Sequence, residues 1–135
     1  MLYTSYFAKL KKLPSNIIPI SICGKAPDWY NGIQYKKLAP KYGFFTEWKK
    51  THDNNYYIEH FNSDVLSILD PRNVILELQT LIPTEIRERQ QGDIWESPDI
   101  HIALICYEKP SDFCHRHLVA KWLTDNGYKC EEWKG

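Results

Sequence analysis

The sequence predicts an α/β fold, a mainly parallel sheet of about four strands flanked by helices in one layered domain. Three observations carry that prediction. Short β-rich runs alternate with longer helical stretches in the order strand, helix, strand, several helices, strand, helix, strand. One of the runs, NIIPISI, is apolar nearly throughout, as expected of a strand covered on both faces. The length of 135 residues suits a single domain over 1–135, within the range of roughly 50 to 250 residues, and no internal repeat, low-complexity tract or linker divides it.

The elements follow in order. LYTSY is rich in β-formers and reads as the first strand. FAKLKKLP then places Phe7, Leu10 and Lys11 at helical spacing before Pro14 closes the segment. NIIPISI, 16–22, is the second strand, and Pro19 suits an edge or a bulge because it lacks a ladder donor. The stretch 23–43, CGKAPDWYNGIQYKKLAPKYG, has neither period and reads as a long ordered loop. FFTEWKK, NNYYIEHFNSDVLSIL and DPRNVILELQTLI read as helices; Asp70 is placed as an N-cap acceptor and Pro71 stands at the first helical position. The polar stretch around 83–99 predicts a charged surface excursion. IHIALICYE gives a strand centred on Ala103 to Cys106, followed by a helix over about 114–126 with Leu118, Val119, Trp122 and Leu123 on one apolar stripe. Asn126-Gly127 is its stop signal, and YKCEEW is the last strand.

Composition removes some functions. Seventeen basic and seventeen acidic residues cancel, so no global field draws the chain to nucleic acid or to an anionic membrane. No apolar run approaches the roughly 18 to 20 residues of a membrane span, and the first residues do not form a secretory signal. A cytoplasmic location is expected. There the four cysteines, Cys23, Cys106, Cys114 and Cys130, are expected as reduced thiols.

Chemistry concentrates in CYEKPSDFCHRHL. In parallel α/β folds, ligands bind beyond the carboxyl ends of the strands. Cys106 and Glu108 fall at such an end, Cys114, His115 and Arg116 begin the next helix, and Ser5 and Cys23 follow the first two strands. A helix start beside Arg116 favours a thiolate at Cys114, which suits a nucleophile or redox centre; the alternative is a small buried residue. Arg116 suits an anionic ligand, or else an internal salt bridge to Glu108 or Asp112. Cys106, Cys114, His115 and His117 have zinc-compatible chemistry, but no CxxC pair is present and adjacent Cys114 and His115 cannot share a helical face. No metal and no cofactor are therefore expected.

The opening YTSYFAKLKKLP, the loop APDWYNGIQYKKLAP and above all CYEKPSDFCHRHLVAKWL resemble the domain of unknown function 488 family of mostly prokaryotic and phage proteins. The resemblance covers most of the chain. It implies a small cytosolic α/β protein with Cys106, Glu108, Cys114, His115 and Arg116 grouped together, and it carries no established activity. Many members have Asp-x-Arg at the end of the second strand, where this chain has Ser21-Ile22-Cys23.

Two functions are weighed. The first is a small enzyme that binds a phosphorylated or other anionic small molecule at a rim of Cys23, Cys106, Glu108, Cys114, His115 and Arg116. In it Arg116 holds the anion, Cys114 is the reactive thiol, and Glu108 or His115 moves a proton. The second is a nucleic-acid or protein-binding module using the loop 29–41, with Trp29 and Tyr35 among Lys36, Lys37 and Lys41. On that loop, Trp29, Tyr30 and Tyr35 are either a recognition surface or pins that hold it to the core.

Overall fold

A computed structural model describes residues 2–82, 101–108 and 113–135. The excursion expected around 83–99 and Asp112 lie outside those residues. Strand β1 (Leu2–Tyr6) leads through a 3-10 helix, Phe7–Lys12, to β2 (Ile17–Ser21). A two-residue strand β3 (Ile33–Gln34) precedes helices α1 (Tyr42–Thr51), α2 (Asn54–Asp64) and α3 (Pro71–Thr80). Then come β4 (His101–Cys106), α4 (His115–Asp125) and β5 (Cys130–Glu132).

The strands are all parallel in the order β3-β2-β4-β1-β5. The sheet therefore has five strands where about four were expected. The extra one is β3, whose pairing is limited to Ile20 with Ile33 and Ser21 with Gln34, too short to show a period inside a Gly- and Pro-rich loop. Its shortness also explains Pro19. Because β3 reaches only the last two residues of β2, Pro19 has a strand neighbour on one side only. The buried Tyr30 hydroxyl lies 2.7 Å from the Ile33 carbonyl and 3.3 Å from that of Pro19, supplying a donor to this open side.

β4 is the central strand, and its alternation feeds two cores. Ile102 and Leu104 join Phe61, Ile75, Leu78, Val119 and Leu123 beneath helices α1 to α4. Ala103 and Ile105 join Phe7, Ile17 and Tyr30. Each fully buried Ile, Leu or Phe is worth roughly 1.5 to 3 kcal/mol of transfer free energy, which fixes β4 against both layers. On α4 the stripe is narrower than expected: Val119 and Leu123 are fully buried, whereas Leu118 and Trp122 sit partly exposed at its margin.

Caps differ in detail. Asp70 and Pro71 do start α3, but the Asp70 side chain makes no capping hydrogen bond; in α2, by contrast, Asp53 accepts one from the Tyr56 N–H at 3.2 Å. Gly127 follows α4 at φ 93°, where a side chain would be strained. The segment expected as the first α-helix is a 3-10 helix of six residues, too short between Tyr6 and Pro14 to settle into α geometry.

The topology singles out one place. From β1 the chain moves across the sheet to β2, and from β4 it moves the other way to β5, while β1 and β4 are neighbours. Their connections leave on opposite faces, the 3-10 helix in one core and α4 in the other. This is a topological switch point, and the crevice it opens lies at the paired residues Tyr6 and Cys106.

Candidate functional site

Cys106 ends β4, and Cys114 is the N-cap of α4, which the return of the chain brings back over the same strand end. The two are joined as a disulfide, while Cys23 and Cys130 are free and buried. The expectation of four reduced thiols is corrected for this pair. The two stand eight positions apart in sequence and meet where the end of β4 faces the start of α4.

His115 stands beside them, buried. Its Nε2 is 2.8 Å from the Ile22 carbonyl, an acceptor, so Nε2 carries the proton and donates. Nδ1 is then the unprotonated nitrogen, 3.9 Å from the Cys114 Sγ. Burial, assisted by the charges of Arg116 and His117, pushes the imidazole pKa down to about 4 against the opposing pull of the Ile22 carbonyl. The ring is therefore neutral at pH 7.

Arg116 is completely buried, the largest such side chain among the described residues. Its Nε and Nη2 donate to the two carboxylate oxygens of Glu132 at 3.0 and 3.1 Å, a bidentate pair. Nη1 donates to the Glu108 carbonyl at 2.6 Å and to the Cys106 Sγ at 3.1 Å. With Nε used once, Nη1 twice and Nη2 once, most of the fork is engaged. The guanidinium also sits 5.5 Å from the centre of the Tyr6 ring. Glu132 accepts a further bond from the Thr4 hydroxyl at 2.7 Å, because Thr4 and Glu132 are register partners of β1 and β5. The internal salt bridge weighed for Arg116 is thus formed with Glu132, and not with Glu108.

The other expected residues divide. Cys23 is buried next to the cluster, with Sγ 3.8 Å from the Ile105 carbonyl, and burial pushes its thiol up to about 12. Glu108 is exposed and gives the cluster its backbone carbonyl. Ser5 lies inside β1, buried, its hydroxyl without a partner among the described residues. On the loop, Tyr30 and Tyr35 are pins in the two cores, whereas Trp29 is 62% exposed and meets Phe7 edge-on at 5.9 Å. Lys37 is paired with Glu77 at 2.9 Å.

Cys106 Sγ, Cys114 Sγ and a ring nitrogen of His115 lie within 4.8 Å of one another. Neighbouring Cys114 and His115 therefore do converge, contrary to the helical-face argument. Cys114 has extended backbone, φ −153° and ψ 143°, and is not yet on the helix whose 100° steps that argument assumed. Both sulfurs are committed to each other here, so only the reduced pair could ligate a soft ion.

Three participants escaped the sequence reading. Ile22 and Thr4 act through a backbone carbonyl and a strand hydroxyl, which leave no motif. Glu132 had a signal. Cys130 and Glu132 share one side of a strand by the two-residue period, and a carboxylate beside a buried cysteine calls for a cation.

No helix among the described residues is long and apolar enough to cross a membrane. A family model described as DUF488-N3a, active DUF488-N3 subclade, matches residues 6–127. No curated protein and no solved structure gives a significant match.

Proposed function

The chain belongs to the DUF488 family, and from that premise we propose a small enzyme whose nucleophile is Cys114, with His115 as the group that takes its proton. The observation that carries the proposal is the locked ring of His115: Nε2–H is held by the Ile22 carbonyl, so the Nδ1 lone pair is presented to the Cys114 sulfur. A nucleophile, a base and a third group orienting the base are the parts that thiol catalysis needs. The description of the matched subclade as active supports an enzyme.

While the disulfide is closed, the imidazole is neutral and Cys114 is capped. Opening it sets a thiol beside Nδ1. Proton transfer then forms a thiolate and an imidazolium, and each opposite charge favours the other, raising the imidazole pKa from its low resting value. Arg116 acts as a positioning residue, because Glu132 already answers its charge; its Nη1 holds Cys106 and the Glu108 carbonyl in place. The substrate is a small molecule admitted at the ends of β1, β2 and β4. An anionic group on it is tested by whether phosphate or sulfate raises the melting temperature.

Alkylation tests the nucleophile. In the reduced, folded protein Cys114 should react with iodoacetamide at neutral pH well ahead of Cys23 and Cys130, whose thiols burial pushes up to about 12. His115→Gln should slow Cys114 alone. Equal rates at the three thiols, read by peptide mass spectrometry, would leave Cys114 a packing residue.

A further inference from the structure

We infer that Cys106 and Cys114 form a reversible dithiol/disulfide couple that exchanges electrons with small-molecule thiols. The inference shares Cys114 with the proposed enzyme but does not rest on turnover of any substrate.

Four observations point to it. Oxidation is confined to one pair: Cys23 is buried at the same strand ends yet stays a thiol. Each sulfur of the pair has its own polar neighbour, an Arg116 N–H at 3.1 Å from Cys106 and the unprotonated His115 nitrogen at 3.9 Å from Cys114. The surroundings do not depend on the bond. Arg116 is anchored by Glu132 and the Glu108 carbonyl, His115 by Ile22, and the first turn of α4 by the His117 N–H on the Cys114 carbonyl at 3.2 Å. A reduced pair is thus held where it can close again. Finally, both residues are nearly covered, Cys106 being 0% and Cys114 3% exposed, so that only a small reactant fits against the pair.

The different polar neighbours assign the steps. A small thiolate attacks the Cys114 sulfur, the S–S bond breaks, and its electron pair leaves on the Cys106 sulfur, which accepts a hydrogen bond from Nη1 of Arg116. The product is a mixed disulfide on Cys114. A second thiolate attacks the sulfur of the bound small molecule, releases the small disulfide and returns the pair on Cys114. Two external thiols have then lost two electrons and two protons, and the protein carries two thiols, Cys114 beside Nδ1 of His115. The reverse sequence oxidises the protein with a small disulfide. A protein reductant would have to reach a sulfur that is nearly covered, so the fitting partner is of low molecular weight.

The test equilibrates the folded protein with reduced and oxidised glutathione at a series of ratios. Each sample is then acid-quenched, alkylated and mapped by mass spectrometry. Cys106 and Cys114 should titrate together in one two-electron transition, with Cys23 and Cys130 remaining thiols and circular dichroism unchanged. In Cys106→Ser a glutathione mixed disulfide should accumulate on Cys114, at least tenfold above the level on Cys106 in Cys114→Ser. The couple is refuted if the disulfide of the parent protein opens only on unfolding, or if the thiols never pair at the most oxidising ratio. Preferential capture at Cys106 would overturn the assignment of attacked and leaving sulfurs. Cys106→Ser also separates this inference from the proposed enzyme, since it abolishes the couple yet leaves the His115-dependent alkylation of Cys114 in place.

Discussion

Two glutamate pairs show how differently this molecule uses the same chemistry. Lys37 and Glu77 meet at 2.9 Å with side chains 58% and 41% exposed. Arg116 and Glu132 meet at 3.0 Å with side chains 0% and 16% exposed. The first joins Lys37, on the loop weighed as a binding module, to Glu77 on the surface of α3; it is screened by water and worth no more than about 1 kcal/mol. The second ties α4 to β5 at the switch point. There Arg116 has lost all of its solvent and Glu132 most of its own, so the pair is costly to assemble and far costlier to half-remove. The distance is nearly the same, and the surroundings decide the energy.

Four measurements sharpen or break that contrast. The largest effect is expected from Arg116→Ala, which strands Glu132 and should cost roughly 3 to 5 kcal/mol in urea unfolding. An apolar replacement of both partners, Arg116→Leu with Glu132→Leu, should recover most of it. A single-variant loss below about 1 kcal/mol would show that Glu132 is solvated without its partner, and the two pairs would then be alike.

Next comes acid. The His115 pKa is depressed to about 4 in the folded protein from the ordinary 6.5. Between those values the unfolded chain binds the proton and the folded one does not, so stability rises with pH across the window and is lost as pH falls from about 6.5 to about 4. The expected loss is about 3 kcal/mol. It should be missing from the difference curve of His115→Gln; an identical acid profile in that variant would mean that the ring is not held neutral by burial.

Thr4→Val keeps the shape of the strand and removes one donor to Glu132, for which about 1.5 kcal/mol is expected, as for a hydrogen bond to a charged group. The smallest effect belongs to Lys37→Ala, within about 1 kcal/mol and fading as salt is added. A larger, salt-insensitive loss would give the loop a structural role that its exposed pair does not suggest.

Much of the fold was legible because it is local. Pro71 announces α3, Asn126-Gly127 ends α4, and the run IHIALICYE marks the strand that becomes β4. Two features were illegible because they are decided elsewhere. β3 exists only by pairing with the end of β2, and whether Tyr35 faces a ligand or the core depends on how the whole loop packs. The cluster shows the same division. Cys106, Cys114, His115 and Arg116 are near in sequence and could be grouped from it, but what each does was set by distant partners. The His115 tautomer comes from Ile22, 93 residues away, and the Arg116 counter-charge from a strand after the helix. The helical-face argument failed for a local reason, since it treated the N-cap as a helical residue.

The strand order also has a bearing on how the chain acquires its structure. β1 and β2 follow one another in sequence but never pair; each leans on β4, which begins at His101. A chain emerging from the ribosome therefore carries both early strands with their hydrogen-bonding edges open until about a hundred residues have appeared. The late central strand closes both edges together. Contacts of such long sequence separation make for slow folding, because loop entropy is lost before pairing compensates it. The residues most exposed to mispairing during synthesis are thus the ones that end up most deeply enclosed, and the Arg116 charge finds its carboxylate only when β5 has followed.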